Sequence, residues 1–266
     1  MRKKLIEELN DYFKNEVEFF SFIEKEPLIQ NLKRDSFQNI DKKRVLTHRK
    51  ILLQNNRPND LHAVLVNKPL WSDKNFILEN KIYDFSQILT LREDNYKPQI
   101  ISSSAVLFCK ETQELILHRR AKDVATYPDR LHILGGAYIP TDSGNSKKNE
   151  LFKTVVREIY EESNLHISQT DKPYIVVTKE LSTGFIQFCF LGLQVSKESL
   201  IDIKSSWEGD VQKVAFKELP TLLKSKDFVP SGKANILTWL KTQAEDLNLK
   251  FDNLCATELY NEILHN

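Results

Sequence analysis

Three glutamates at helical spacing carry the strongest chemical signal in this chain. Residues 157–162 read Arg-Glu-Ile-Tyr-Glu-Glu. Glu158, Glu161 and Glu162 fall at i, i+3 and i+4, so a helix stacks their carboxylates on one face. Like charges held that way repel one another, and a hard divalent cation bound among their oxygens relieves the repulsion. The run contains no His or Cys, so its donors are all oxygen. Such a set suits Mg²⁺, with Mn²⁺ as the alternative. Arg157 lies four residues before Glu161, placed to orient part of the cluster. The same spacing also describes a solvated acidic helix face, and the flanking sequence decides between the two.

Upstream run two short apolar stretches, Leu115-Ile116-Leu117-His118-Arg119-Arg120 and Leu131-His132-Ile133-Leu134-Gly135-Gly136. From Asn149, a plausible N-cap, the periodicity turns helical. Leu151, Val155, Ile159 and Glu162 share one stripe, flanked by Phe152 and Val156. The order is therefore strand, glycine turn, loop, then a helix carrying the carboxylates. This order resembles the Nudix hydrolase family, whose box runs Gly, five residues, Glu, seven residues, Arg-Glu-apolar-x-Glu-Glu-x-Gly-apolar. Gly136 matches the opening glycine, and Arg157, Glu158, Ile159, Glu161, Glu162 and Leu165 match the core. Two positions depart. Counted from Gly136 the first box glutamate falls at Asp142, and counted back from Arg157 it falls at Asn149. The segment 138–148 thus carries a seven-residue insertion of turn-forming residues. Glu150 is one position late, about 100 degrees around a helix, and is the weaker substitute. Asn164 replaces the box's second glycine, a mild change because Asn tolerates a left-handed helix end.

The resemblance implies an α/β fold: a Nudix-type α/β/α sandwich with a mixed sheet, preceded by an N-terminal α/β extension. It implies metal-dependent hydrolysis of the pyrophosphate bond of a nucleoside diphosphate linked to another group. Glu158, Glu161 and Glu162 would be the metal ligands, with Mg²⁺ as cofactor. Glu161, Glu162, Arg157 and Glu208 would be the catalytic set, Arg157 orienting and Glu208 serving as general base. Gly135 and Gly136 would bring backbone close to metal and phosphates. Arg119 and Arg120 alternate across a strand, so one of them would face a phosphate, with Lys122 a weaker candidate. Tyr138 and Phe188 are candidates, from their own chemistry, to stack on a base, although an aromatic on a sheet is more often core. His118 and His132 are expected to be structural. The insertion, the Asn149–Phe152 start of the helix and Asn164-Leu165 look like the UDP-glucose pyrophosphatase branch, which implies release of UMP and a sugar 1-phosphate. ADP-ribose or another dinucleotide is the nearest competing substrate, and a non-catalytic nucleotide-binding module is the alternative from a different class. An isopentenyl-diphosphate-isomerase-like enzyme, suggested by His118-Arg119-Arg120 and Tyr127-Pro128, lacks the cysteine that chemistry needs.

The whole composition is consistent with this. The 266 residues are 41% hydrophobic, enough for a packed core, and the formal charge of +1 gives no reason to expect nucleic acid or a membrane as partner. The partner expected is a small-molecule nucleotide. Cys109, Cys189 and Cys255 match no metal motif and read as reduced thiols. Together with the lack of a secretory or membrane-spanning stretch, they make a cytoplasmic location the expectation. The polar stretch 93–98 places a boundary near residue 97, giving an extension over 1–96 and a hydrolase domain over 97–266. Nothing in 1–96 carries readable chemistry. Helices are expected over 5–24, 41–55 (with Val45, His48, Leu52 and Leu53 inward), 234–247 and 253–264, and a short one from Glu218. Strands are expected over 61–66, 81–91, 105–108, 115–119, 131–134, 174–181, 185–195 and 211–216.

Overall fold

The computed structural model describes residues 2–32, 40–69, 71, 76–143, 149–167, 174–244 and 246–265. Residues 144–148, part of the segment 138–148 expected to carry the insertion, lie outside them. The helices are α1 (Arg2–Tyr12), α2 (Lys42–Gln54), α3 (Phe85–Glu93), α4 (Glu150–Ser163), α5 (Leu219–Lys224), α6 (Pro230–Trp239) and α7 (Ala256–His265). The strands of the N-terminal part are β1 (Val17–Ile23), β2 (Leu28–Asn31), β3 (Leu61–Leu65) and β4 (Ile77–Asp84). Then follow β5 (Ile101–Cys109), β6 (Glu114–Arg120), β7 (Leu131–His132), β8 (Leu134–Ala137), β9 (Ile175–Glu180), β10 (Ile186–Gln194) and β11 (Gly209–Ala215). A small hairpin, β12 (Lys250–Phe251) with β13 (Leu254–Cys255), precedes α7.

The large sheet runs β1-β9-β10-β5-β6-β11, with β7 paired to β6 and β8 to β5. It is mixed: β10 lies parallel to β5, and the other pairings are antiparallel. Every residue of β5 is buried, as a central strand covered on both faces must be. Alternation divides its side chains between two cores. Val106 and Phe108 join α1, α6 and α7 through Leu9, Trp239 and Leu259. Ala105 and Leu107 join α4 through Leu151, Val155 and Ile159. The result is the expected α/β architecture of helices on both faces of a mixed sheet.

The N-terminal region contributes to this body at two places. β1 pairs antiparallel with β9 as the edge of the large sheet. The small sheet β2-β4-β3 places Leu78, Ala63 and Leu65 in the α4-side core. The predicted helix over 5–24 is two elements. Leu5, Leu9 and Phe13 form its buried stripe, but from Val17 burial alternates, and the Asn10 side chain grips the Phe19 backbone at 2.7 and 3.1 Å to turn the chain into a strand. The predicted strand over 81–91 also divides. Asp84 ends β4 and starts α3 through a capping box with Gln87. In α2 only Leu52 is buried and Leu53 is exposed, so its inward face is narrower than the apolar count suggests. Asp41 caps that helix, accepting from Lys43 and Arg44. The helix predicted over 234–247 is α6 from Pro230, ended by a π-helical turn at Leu240–Ala244. Among the described residues no helix is long and apolar enough to cross a membrane.

Candidate active site

α4 is held by its apolar stripe and at both ends. Leu151, Val155 and Ile159 are fully buried against the sheet. Asn164 closes the helix in the left-handed conformation at φ 60, its N–H donating to the Tyr160 carbonyl. Asn149, expected as N-cap, is itself left-handed at φ 56 and makes no side-chain cap. A distant residue does that work: the Glu26 carboxylate accepts from Leu151 N at 2.8 Å and Phe152 N at 3.3 Å. A carboxylate at orphan N–H groups also complements the helix dipole.

The glycine pair lets β8 and the carboxylates meet. Gly135 has φ +142, and any Cβ there would overlap the Ser103 carbonyl of β5. Its N–H donates to Glu162 Oε2 at 2.9 Å. At Gly136 a Cβ would occupy the space of the Glu158 carboxylate. The glycines are thus required by close approach of other groups to the backbone.

Arg157 organises the acidic face. Its Nε donates to Asp142 Oδ1 at 2.7 Å and its Nη2 to Asp142 Oδ2 at 3.1 Å, a two-point clamp. Nη2 also donates to the Ala137 carbonyl at 3.0 Å. Nη1 stands 2.9 Å from both Glu158 Oε1 and Glu161 Oε2. Asp142 is fixed in turn by Thr154 Oγ1 at 2.8 Å and Ile139 N at 3.2 Å. Of the two positions the spacing allowed for the missing box carboxylate, Asp142 is therefore the one that reaches the arginine. Glu150 turns into the core, where it accepts from Tyr138 Oη at 2.6 Å and leaves its other oxygen unpartnered.

Electrostatics follow from this crowding. Burial holds the Glu158 carboxyl well above the usual carboxylate range, and Glu162, Glu208 and Glu161 push it further up against the pull of Arg157. Glu208 is raised by burial and then by Glu162, with Arg120 and His118 opposing. His118 Nδ1 lies 3.2 Å from Glu162 Oε1. Burial pulls this imidazole down, but the hydrogen bond to Glu162 and the charge of that carboxylate together outweigh it and leave it above the ordinary histidine value. Glu158, Glu161, Glu162 and Glu208, with Ser206 and Trp207, surround a hollow of about 270 Å³. Among the described residues no three carboxylate, imidazole or thiol groups already converge on a single ion position. The Arg157 guanidinium supplies the bridging positive charge instead. The donor set nonetheless fits a hard cation: all-oxygen ligands around a hollow, with Glu158 raised by burial and then by its acidic neighbours.

The remaining sequence candidates separate. Arg120 lines the main cavity, held by Thr126 at 2.9 and 3.3 Å. Arg119 points the other way, bonded to the Asp129 carbonyl at 2.8 Å with Asp129 and Asp227 as charge partners. Tyr138 and Phe188 are fully buried in the core, so neither offers a face to a base. His132 contacts the Ile133 carbonyl at 2.5 Å and Ser231 Oγ at 3.3 Å in the cavity wall.

The N-terminal region also contributes to the site. A cavity of about 610 Å³ extends from Glu158 and Glu161 to Arg57, His62, Phe85 and Arg92. Arg57 pairs with Asp123 and stacks on the Trp207 ring at 4.1 Å, beside Glu208. No motif marks these residues, because they reach the site through tertiary packing.

A scan against protein-family models finds no match, and a search of curated proteins finds none either. Among solved structures, the chain is similar to a MutT protein from Methanosarcina mazei Go1, with 24% identity and a TM-score of 0.38 over 52% of this chain and 89% of that one. It is also similar to a bifunctional NMN adenylyltransferase/ADP ribose pyrophosphatase from Francisella tularensis, at 14% identity and TM-score 0.42, over 59% of this chain and 49% of that one. A third likeness is to the NUDIX domain of Shewanella oneidensis NrtR complexed with ADP ribose, at 16% identity and TM-score 0.35, covering 51% and 83%.

Proposed function

We propose that this protein is a metal-dependent pyrophosphohydrolase acting on a nucleoside diphosphate linked to another group, with a nucleotide sugar such as UDP-glucose as the preferred substrate. The observation that carries the reading is that Glu158, Glu161, Glu162 and Glu208 line one hollow beside the Gly135-Gly136 backbone, next to a cavity large enough for a nucleotide. Glu158, Glu161 and Glu162 would hold Mg²⁺ or Mn²⁺, which when bound supplies neutralisation of the diphosphate charge and acidification of the attacking water.

The protein's own groups do the rest. Glu208, raised by burial and by its acidic neighbours, is the general base that takes the proton of the attacking water. Arg157 keeps Glu161 and Glu158 in place, and Asp142 keeps Arg157 in place. Arg120, one of the arginines lining the cavity, is the candidate to meet a phosphate oxygen. Preference for a uridine sugar is supported by the sequence around the box, where the insertion and Asn164-Leu165 resemble the UDP-glucose pyrophosphatase branch.

The test is a panel of nucleotide sugars and dinucleotides incubated with Mg²⁺, with nucleoside monophosphate release followed by chromatography. UMP from UDP-glucose is the expected product. AMP from ADP-ribose would move the substrate to the competing class. Binding without release from any compound would replace hydrolysis by a nucleotide-binding role.

A further inference from the structure

We propose that the N-terminal region completes the active-site cavity as a subsite for a neutral, acceptor-bearing planar ring, a nucleobase, with Arg92 reading the acceptor. This rests on the nucleotide reading of the carboxylate site and extends it to a part of the chain with no motif of its own. Arg92, in the last turn of α3, lines the cavity whose other end is formed by Glu158 and Glu161. Its Nη2 is buried and has no hydrogen-bond partner among the described residues. A buried donor left unpaired costs free energy, so the fold sustains here a group that an occupant of the cavity would satisfy.

The surroundings select the kind of occupant. The anion whose field reaches Arg92 is Glu180, and its oxygens are already taken by Ser231 at 2.5 Å, Ser182 at 3.1 Å and Thr183 at 3.3 Å. A second anion placed at Arg92 would stand against that carboxylate, whereas a carbonyl or ring nitrogen would not. Flat apolar surface lies alongside: Phe85 and Phe185 line the same space, and the Arg92 guanidinium sits 5.7 Å from the Phe185 ring. His62 meets Phe85 edge-on at 5.6 Å. Its Nδ1 is likewise unpartnered, and burial holds its pKa down to about 4, so it is a neutral second polar contact. Arg92 also sits where a cation suits the α3 dipole, but that role leaves the buried, unpaired Nη2 unexplained.

The experiment titrates the full chain with UMP, AMP and ribose 5-phosphate by calorimetry, for wild type, Arg92→Leu and Arg92→Lys. Expected is binding of at least one nucleotide, weakened about 10-fold or more by Arg92→Leu, the usual size of a lost hydrogen bond to a charged group. Arg92→Lys should recover part of it, and ribose 5-phosphate should bind wild type and Arg92→Leu alike. If Arg92→Leu unfolds, Arg92→Gln, which also shortens the donor, is read in its place. Unchanged nucleotide affinity in the folded variant overturns the subsite, as does no nucleotide binding by wild type. An equal loss for ribose 5-phosphate also overturns it, since that marks an anion site. Hydrolysis of the nucleotide sugars and dinucleotides with Mg²⁺, measured on the same protein preparations, separates the two readings. Turnover with Arg92-independent binding sinks the subsite alone, whereas base-dependent binding without turnover sinks hydrolysis alone.

Discussion

Arg157 shows how single residues decide whether an acidic helix face is a repulsive patch or a site. Its guanidinium neutralises Glu158 and Glu161 at 2.9 Å each while Asp142 pins it from the other side. Glu161 is the best residue with which to test the chemistry, because its side chain is 56% exposed and Arg157 is its charge partner. Glu161→Gln should therefore lower turnover by roughly 10²-fold or more, the scale on which charge-stabilising groups act, with an unchanged thermal midpoint. Wild-type turnover of this variant in Mg²⁺ would remove Glu161 from the site. Glu158 yields a second prediction. Its folded carboxyl is raised, so the stability it contributes is full below the ordinary carboxylate range and is lost as pH rises through the folded value. A cation needs the charged form, so Mg²⁺ should raise the thermal midpoint more as pH rises above the ordinary carboxylate range. At about 100 times Kd the gain is about 2.7 kcal/mol. Glu158→Gln should stabilise the metal-free protein at high pH and abolish the increment; scanning fluorimetry across that pH range reads both.

At the scale of elements, α4 depends on a partner far away in sequence. Glu26 follows β1 and caps the helix that bears the carboxylates, and burial raises its pKa to about 7 even though Leu151 and Phe152 donate to it. The folded state thus holds the Glu26 proton more tightly than the unfolded state, so this group's contribution to stability falls as pH rises from about 4.5 to about 7. Glu26→Gln should flatten that part of the stability-against-pH curve in urea titrations; a slope identical to wild type would dismiss the cap as the titrating group. The β8 backbone is equally exacting. Gly135→Ala places a methyl against the Ser103 carbonyl at φ +142, and should cost about 1–3 kcal/mol. It should also disturb the Gly135–Glu162 bond, so activity should fall together with stability.

Across the whole molecule, the N-terminal region is both sheet edge and cavity wall. β1 covers β9, and Val17 and Phe19 from it are buried in the core shared with α1, α6 and α7. A chain beginning at residue 97 should lose that edge, expose the β9 backbone to pairing with other chains, and elute as aggregate on size exclusion. A well-folded monomer of that shortened chain would show that the edge strand is dispensable. Arg57→Ala is the milder probe. It removes the stack on Trp207 and the pair with Asp123, and should reduce turnover several-fold through the Glu208 loop without moving the thermal midpoint far.

Features that depend on short spacing are legible in the residues alone. The carboxylate face of α4, the Gly135-Gly136 close approach, the strand alternation of β5 and β6 and the Asn164 helix stop are all local, set by helix period, pleat and backbone freedom. The sequence left open which residue fills the place of the missing box carboxylate, because two counts across an insertion give two answers. Only the folded loop brings Asp142 to Arg157 and sends Glu150 to Tyr138. It placed Tyr138 at the substrate by its chemistry, whereas packing buried the ring. Residues 5–24 and 81–91 misled for a related reason: apolar content suits either period, and side-chain bonds from Asn10 and Asp84 set the change of element. The cap from Glu26 and the wall of Arg57, His62 and Arg92 were decided by tertiary structure alone. They join segments far apart in the chain, and contact across such distances leaves no spacing for a sequence to display.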